Sequence, residues 1–142
     1  MTDHLIILKK LAMLREHAAR VRRRRPVTRA AFEADVDVQD ALALSFLVCV
    51  QEANDIAMHI TADEGWGVPG SYAEAFDLLA KNAVVTQQHA RELGGIAAVR
   101  NRIAHGYASV DPGRLWDELP AGLDALDRYV DAIARHVGDS TS

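Results

Sequence analysis

The sequence predicts an all-α fold, a bundle of four or five helices. Alanine and leucine are abundant, while the 142 residues include only 4 prolines and 9 glycines. This composition favours helices over strands. No segment alternates apolar and polar residues as a half-buried strand does, and no internal repeat is visible. The length fits one domain, so we expect residues 1–142 to form a single bundle.

The first two predicted helices define the middle of the bundle. Residues 3–24 place Leu5, Leu8 and Leu11 at helical spacing. A second helix is predicted from about residue 28 to residue 61, and its centre, 41–50, is apolar on almost every side. Because such a helix must be covered all round, we expect it to be central. In a small bundle part of that cover can come from a second subunit, which predicts a homodimer.

The remaining helices are delimited by turn and capping residues. "DEGWGVPGS", 63–71, is predicted to be a loop, and Ser71 caps the short helix "YAEAFDLLAKN". "TQQHARELGG" should add a turn or two, and "IAAVRNRIAH" should be helical. Asp111 caps the last helix. Its buried stripe is predicted to be Leu115, Leu119, Leu123, Leu126, Val130 and Ile133. The tail, 138–142, is expected to be frayed.

Charge is unevenly distributed along the chain. The net charge is −4, yet residues 1–30 hold nine Lys and Arg against Asp3 and Glu16. A basic footprint over the whole chain, typical of nucleic-acid-binding proteins, is therefore absent. The cluster Arg20–Arg25, in "RVRRRRP", leaves two interpretations open: cations favoured by the helix dipole, or a patch that contacts phosphate.

Cysteine and histidine usage argues against a metal centre. Cys49 is the single cysteine, which excludes an intrachain disulfide and a cysteine-based metal site. The histidines are not clustered with acids, so no metal and no cofactor are expected. A lone thiol suits the reducing cytoplasm. The longest apolar run is too short to span a bilayer and no secretory leader is visible, so we expect a cytoplasmic protein without a membrane partner.

The segment "VRNRIAHGY", 99–107, combines groups suited to phosphate chemistry. Asn101 and His105 share a helix face, whereas Arg100 and His105 lie about 140° apart on an ideal helix. A bent arginine or a second copy of the segment could gather them. The guanidinium can bind a phosphate and the imidazole can move a proton to or from an RNA hydroxyl. From spacing alone, a surface pair with a C-capping residue is the other open interpretation, and spacing favours it.

The same residues carry a resemblance to a known family. Arg100, Asn101 and His105 resemble the signature of the HEPN superfamily, and Tyr107 extends it to the R-x-x-x-x-H-x-Y form of HepT-like toxins. "QEANDIAMHI", "PGSYAEAFDLLAKN" and "IAAVRNRIAHGYASVDPGRLW" are similar to other segments of that family. The resemblance thus covers most of the chain. One departure is "GGIAAVRN", where many relatives carry an aromatic residue just before the arginine.

The resemblance implies a fold, an activity and a partner. HepT-like proteins are all-helical homodimers, and active members are metal-independent RNA endonuclease toxins. The implied catalytic residues are Arg100, Asn101 and His105, with RNA rather than DNA as substrate. The implied antitoxin is an MntA-like minimal nucleotidyltransferase that adds AMP to Tyr107. A nucleotide there would place bulk and phosphate charge beside His105.

Other polar and aromatic residues leave alternatives open. Gln51, Asp55 and His59 form a polar line on an apolar helix. This line is an exposed edge, a hydrogen-bonded ladder, or a shell that orients Arg100 and His105. Asp55 is the preferred member of such a shell. Trp66 and Tyr72 could stack on a base or anchor their loop.

Two functions compete with the ribonuclease hypothesis. One is a non-catalytic HEPN subunit that binds a nucleotide or a nucleotidyltransferase partner. The other is a helical interaction protein in which the motif is structural.

Overall fold

The computed structural model describes residues 3–105 and 111–141, and these fold into helices alone. The helices are α1 (His4–Arg24), α2 (Arg29–Glu33), α3 (Val36–Asp63), α4 (Tyr72–Lys81), α5 (Gln87–His105) and α6 (Pro112–Thr141). The predicted all-α class is therefore confirmed, with six helices in the described ranges where four or five were expected.

Three helix boundaries differ from the prediction. The predicted second helix is divided into α2 and α3, because the Asp35 side chain accepts a hydrogen bond from the Val38 amide (3.1 Å) and so starts a new helix. The two pieces predicted around "TQQHARELGG" and "IAAVRNRIAH" form the single helix α5, which continues through two glycines. The tail predicted to be frayed from residue 138 instead continues α6 to Thr141, directly after the buried Val137.

Helix α3 lies at the centre of the bundle, as predicted. It packs most extensively against α1 and also contacts α2, α4, α5 and α6. Within the described chain it is the one helix long and apolar enough to cross a membrane, although half of its most apolar window is buried in the protein. Such burial is typical of a core helix, which must be covered on several sides.

Helix α1 buries a different stripe from the predicted one. Leu11 is buried as expected, but Leu5 and Leu8 are 63% and 52% exposed. The face that packs on α3 contains Ile7, Leu11, Leu14, Ala18 and Val21. On that face the Cys49 thiol lies 3.5 Å from the Leu14 carbonyl oxygen, so the cysteine is a small core residue.

Helix α6 buries the predicted stripe and connects it to α3. The six predicted apolar residues are all buried. In addition, the fully buried Tyr129 hydroxyl donates a hydrogen bond to the Ala53 carbonyl of α3 (3.0 Å). The helix continues through Pro120. Its first turns lie against the end of α5, where the Arg-Asn segment is found.

Candidate functional site

Arg100 and Asn101 lie in the last two turns of α5 and contact each other. Arg100 Nη1 donates a hydrogen bond to Asn101 Oδ1 (3.2 Å). The Arg100 side chain is half-buried, and its Nε is buried with no hydrogen-bond partner among the described residues. The exposed part of the guanidinium, rather than the buried Nε, can donate to an anion such as phosphate.

The end of α5 is held on both sides. Ile103 is 4% exposed and belongs to the core. Arg102 Nη2 lies 2.5 Å from Glu118 Oε2 on α6, and the other oxygen of Glu118 accepts from Arg114 Nε (2.9 Å). Because residues two apart on a helix point about 200° apart, Arg102 faces α6 while Arg100 points away from it. The apolar contact and the ion pair together fix the orientation in which Arg100 is presented.

A groove of about 510 Å³ opens beside Asn101. It lies between α3, α5 and the segment that leads into α4. Its lining consists of Met58, Pro69, Gly70, Ser71, Tyr72, Ala73, Gly94, Ala97, Ala98 and Asn101. The α5 residues on this side are small, which leaves space in front of the amide. The volume is in the usual range for small-ligand sites, and an aromatic ring and an amide are its recognition groups.

Two predicted site residues fall at the edge of the described structure. His105 is the last residue of α5, but its side chain is outside the described residues. Tyr107 also lies outside them. The structure therefore brings Arg100 and Asn101 together, and the positions of the imidazole and the phenol stay predictions.

Asp55 faces α1 and has two described partners. Its Oδ2 lies 3.2 Å from Lys10 Nζ, and its Oδ1 accepts a hydrogen bond from Gln51 Nε2 (3.0 Å). Desolvation lowers the pKa of Lys10, but the carboxylates of Asp55 and Glu52 outweigh it and raise that pKa overall. The ladder interpretation is confirmed for Gln51 and Asp55. In residues 3–105 and 111–141, no hydrogen bond joins Asp55 to the motif, so a role in orienting Arg100 has no contact to support it.

Histidine and aromatic side chains outside the motif serve packing. His89 is 6% exposed, and its Nε2–H donates to the Ala125 carbonyl (2.9 Å). Trp66 packs against the core with its ring 5.9 Å from that of His136. The loop-anchoring interpretation of Trp66 is therefore confirmed. Over the described ranges, no group of three His, Cys, Asp or Glu side chains could hold a metal ion.

Comparison with known proteins identifies the family. A family model described as "Ribonuclease HepT-like" matches residues 14–133, which include the whole of α5 and most of α6. The chain belongs to the HepT-like ribonuclease family. The match spans the segment that carries Arg100, Asn101, His105 and Tyr107, so the resemblance found in the sequence is confirmed.

Similar proteins have nuclease or toxin names. The mRNA nuclease HepT of Shewanella oneidensis is 28% identical over 102 residues, 72% of this chain and 77% of that protein. The tRNA nuclease HepT of Aphanizomenon flos-aquae is 30% identical over 83 residues, 58% of this chain and 56% of that one. A tri-AMPylated HEPN toxin of Shewanella oneidensis, solved in complex with an MNT antitoxin, is 27% identical with a TM-score of 0.84, covering 95% of this chain and 99% of that one. The HEPN fold thus extends over nearly the whole chain.

Proposed function

We propose that this protein is a ribonuclease toxin that a minimal nucleotidyltransferase antitoxin neutralises. The family match and the two HepT nucleases support the activity. The toxin–antitoxin complex, which has the same fold, supports the partner. The observation that carries the proposal is the half-buried Arg100, whose Nη1 contacts Asn101 at the edge of a groove with the volume of a small-ligand site.

The reaction assigns one role to each motif residue. Arg100 binds the scissile phosphate and the negative charge that develops on it. His105 takes the proton from the RNA 2′-hydroxyl, or gives a proton to the leaving 5′-oxygen. The 2′-oxygen bonds to phosphorus while the bond to the 5′-oxygen breaks, which leaves a 2′,3′-cyclic phosphate and a 5′-hydroxyl. Asn101 orients the imidazole or a phosphate oxygen. The nucleophile belongs to the substrate, so no step requires a metal ion.

A homodimer would supply a second copy of the motif. One histidine cannot take one proton and give another at the same moment, whereas two copies across a symmetric cleft can. Large apolar side chains are exposed on α1 and α3, including Leu5, Leu8 and Leu44. Exposed apolar side chains of this size are suited to burial against a second subunit.

Regulation would act on Tyr107, close to His105 in the chain. Addition of AMP to the phenol would place a phosphodiester within reach of Arg100 and exclude RNA from the cleft. Substrate, dimer and antitoxin all belong in the cytoplasm.

The experiment is RNA cleavage by the chain purified without its antitoxin, with EDTA present. Arg100→Ala and His105→Ala are compared with Arg91→Ala, which removes an exposed arginine from the same helix. The wild type and Arg91→Ala should leave 2′,3′-cyclic phosphate ends, while His105→Ala should lose roughly 10²-fold or more in rate. Melting curves establish that each variant folds.

Two results would contradict this assignment. Equal cleavage by His105→Ala would remove the imidazole from the chemistry. If the wild type does not cleave several RNAs although intact mass shows Tyr107 unmodified, the protein is better described as a non-catalytic subunit that binds a nucleotide or the nucleotidyltransferase.

A further inference from the structure

The arginine cluster at the end of α1 contacts the beginning of α6. The guanidinium of Arg25 lies over the Trp116 indole, with Cζ 3.7 Å from the ring centroid. From α2, Arg29 Nη1 contacts Asp117 Oδ1 at 2.9 Å. Trp116 and Asp117, which are consecutive in α6, therefore contact the end of α1 and the short helix α2.

The next residue of α6 contacts the end of α5. Glu118 binds Arg102, two residues after Arg100. Because Trp116 and Glu118 are two positions apart, they point to opposite sides of α6, so the α1 end and the α5 end flank this helix. Two elements that flank a helix lie about 16–20 Å apart, because packed helices are about 8–10 Å apart axis to axis. The arginine cluster and the catalytic motif thus share one end of the bundle.

Several arginines of this region are neutralised by carboxylates. Arg20 pairs with Glu16, and Arg22 pairs with Asp127. Arg29 pairs with Glu33 as well as with Asp117.

The other three arginines have no carboxylate partner among the described residues. In the part of the chain that the structure describes, Arg23, Arg24 and Arg25 form no ion pair. Arg23 and Arg24 are exposed, and Arg25 has a buried Nε without a hydrogen-bond partner. The helix dipole corresponds to only about half an elementary charge, so it cannot account for three adjacent cations.

We infer that Arg23, Arg24 and Arg25 form a surface that binds the phosphate backbone of the RNA substrate at the same end of the bundle as the cleavage site. This inference rests on the proposed ribonuclease function. Each guanidinium presents forked donors that match phosphate oxygens, and the stacked Trp116 holds that of Arg25 in place before RNA arrives. Backbone contacts position a strand without reading its sequence, so this surface governs affinity rather than the choice of cleaved bond.

The test compares two triple variants with equal loss of charge. The first is Arg23→Gln/Arg24→Gln/Arg25→Gln. The control is Lys81→Gln/Arg91→Gln/Arg135→Gln, near the opposite end of α5. Arg135 lines a groove there with Gln87, and Gln87 lies about 27 Å along the helix from His105. The probe is a fluorescent 2′-O-methyl RNA oligonucleotide, which lacks the nucleophile and cannot be cleaved.

Binding is measured by anisotropy as a function of salt. Three lost phosphate contacts should flatten the slope of log Kd against log salt by about 2, from roughly 0.7 for each contact on a single strand. Between 50 and 200 mM salt the wild type should then lose about 20-fold more affinity than the first variant. The control should keep the wild-type slope. The double variant Arg23→Gln/Arg24→Gln, which leaves the Trp116 stack in place, should flatten the slope by about 1.4.

The outcomes separate this inference from the proposed function. If the first variant keeps the wild-type slope while the wild type cleaves RNA, the three arginines do not bind the RNA backbone, and the ribonuclease proposal is unaffected. If both triple variants flatten the slope of log Kd against log salt equally, the effect comes from net charge, and the inference about this surface is wrong. If the slope difference is found but the wild type never cleaves RNA, the surface is supported and the catalytic proposal fails.

Discussion

Replacement of Asn54 by leucine should stabilise the protein. Asn54 is 1% exposed in the middle of α3, and neither its Oδ1 nor its Nδ2 has a hydrogen-bond partner in the described structure. Leucine has the same number and branching of side-chain heavy atoms, so Asn54→Leu removes both unpaired polar groups with a modest change of shape. The variant tests whether this buried amide lowers the free energy of unfolding.

The size of the effect follows from that burial. A buried polar group without a partner costs about 1–3 kcal/mol, and leucine adds a few tenths in helix propensity. The methyl groups of leucine are larger than the amide oxygen and nitrogen, and their crowding in the packed core offsets part of this gain. A net increase of about 1–3 kcal/mol in the free energy of unfolding is expected. For 142 residues this corresponds to a Tm rise of about 3–10 °C, from an unfolding entropy of roughly 2.1 cal/mol/K per residue.

The assay is urea unfolding at fixed protein concentration together with a melting curve. Thr61→Val is the matched control, because Thr61 is also buried on α3 but donates a hydrogen bond to the Met58 carbonyl (3.0 Å). This control should destabilise by about 1 kcal/mol. A loss of stability in Asn54→Leu would refute the reasoning, since it would mean that the amide is bonded in the folded protein.

Further predictions follow from buried and paired groups. Desolvation raises the pKa of Cys49 to about 12, so iodoacetamide at pH 8 should label the thiol only when the protein unfolds, and rapid labelling of the native protein would contradict this. Burial, aided by the charge of Arg20, lowers the pKa of His17 below 6.5. Below pH 6.5 the unfolded chain therefore binds a proton at His17 more readily than the folded protein does. The free energy of unfolding should accordingly decrease as the pH falls below 6.5. His17→Gln should flatten this pH profile of urea midpoints, whereas an unchanged profile would exclude His17 as its source. Tyr129→Phe should lower the free energy of unfolding by about 1 kcal/mol, measured with urea, and no change would mean that the buried hydroxyl is not bonded. Glu118→Gln should reduce RNA cleavage while stability changes by under about 1 kcal/mol, because its ion pairs are partly exposed; full cleavage would show that this carboxylate does not position the motif.

Local signals in the sequence were sufficient for much of the fold. The cap at Ser71 and the spacing of the α6 stripe predict those helices correctly, because each depends on residues close in the chain. On α1, by contrast, Leu5 and Leu8 are as apolar as Ile7 and Leu14. Which stripe is buried depends on where α3 lies, and helical periodicity contains no information about that.

The site shows the same division between local and distant information. Arg100 and Asn101 are consecutive, so their contact needs only a helix. The groove beside Asn101 requires the loop before α4 to approach small residues of α5 that are distant in sequence. The position of Arg25 at the same end of the bundle as the motif depends on its contact with Trp116, and no local pattern in the sequence relates these two residues.

The central position of α3 has a consequence for synthesis on the ribosome. Three of the five helices that cover it follow it in the chain. Val137, the last residue described as buried, is made 74 residues after Asp63. At a synthesis rate of about 5–20 residues per second, roughly 4–15 s pass in which only α1 and α2 are fully available to cover α3. The Arg-Asn segment and the α6 residue that anchors α5, Glu118, are also made in this interval. A nascent chain therefore completes its core and the proposed cleavage site at nearly the same moment, so an unfinished chain should have neither.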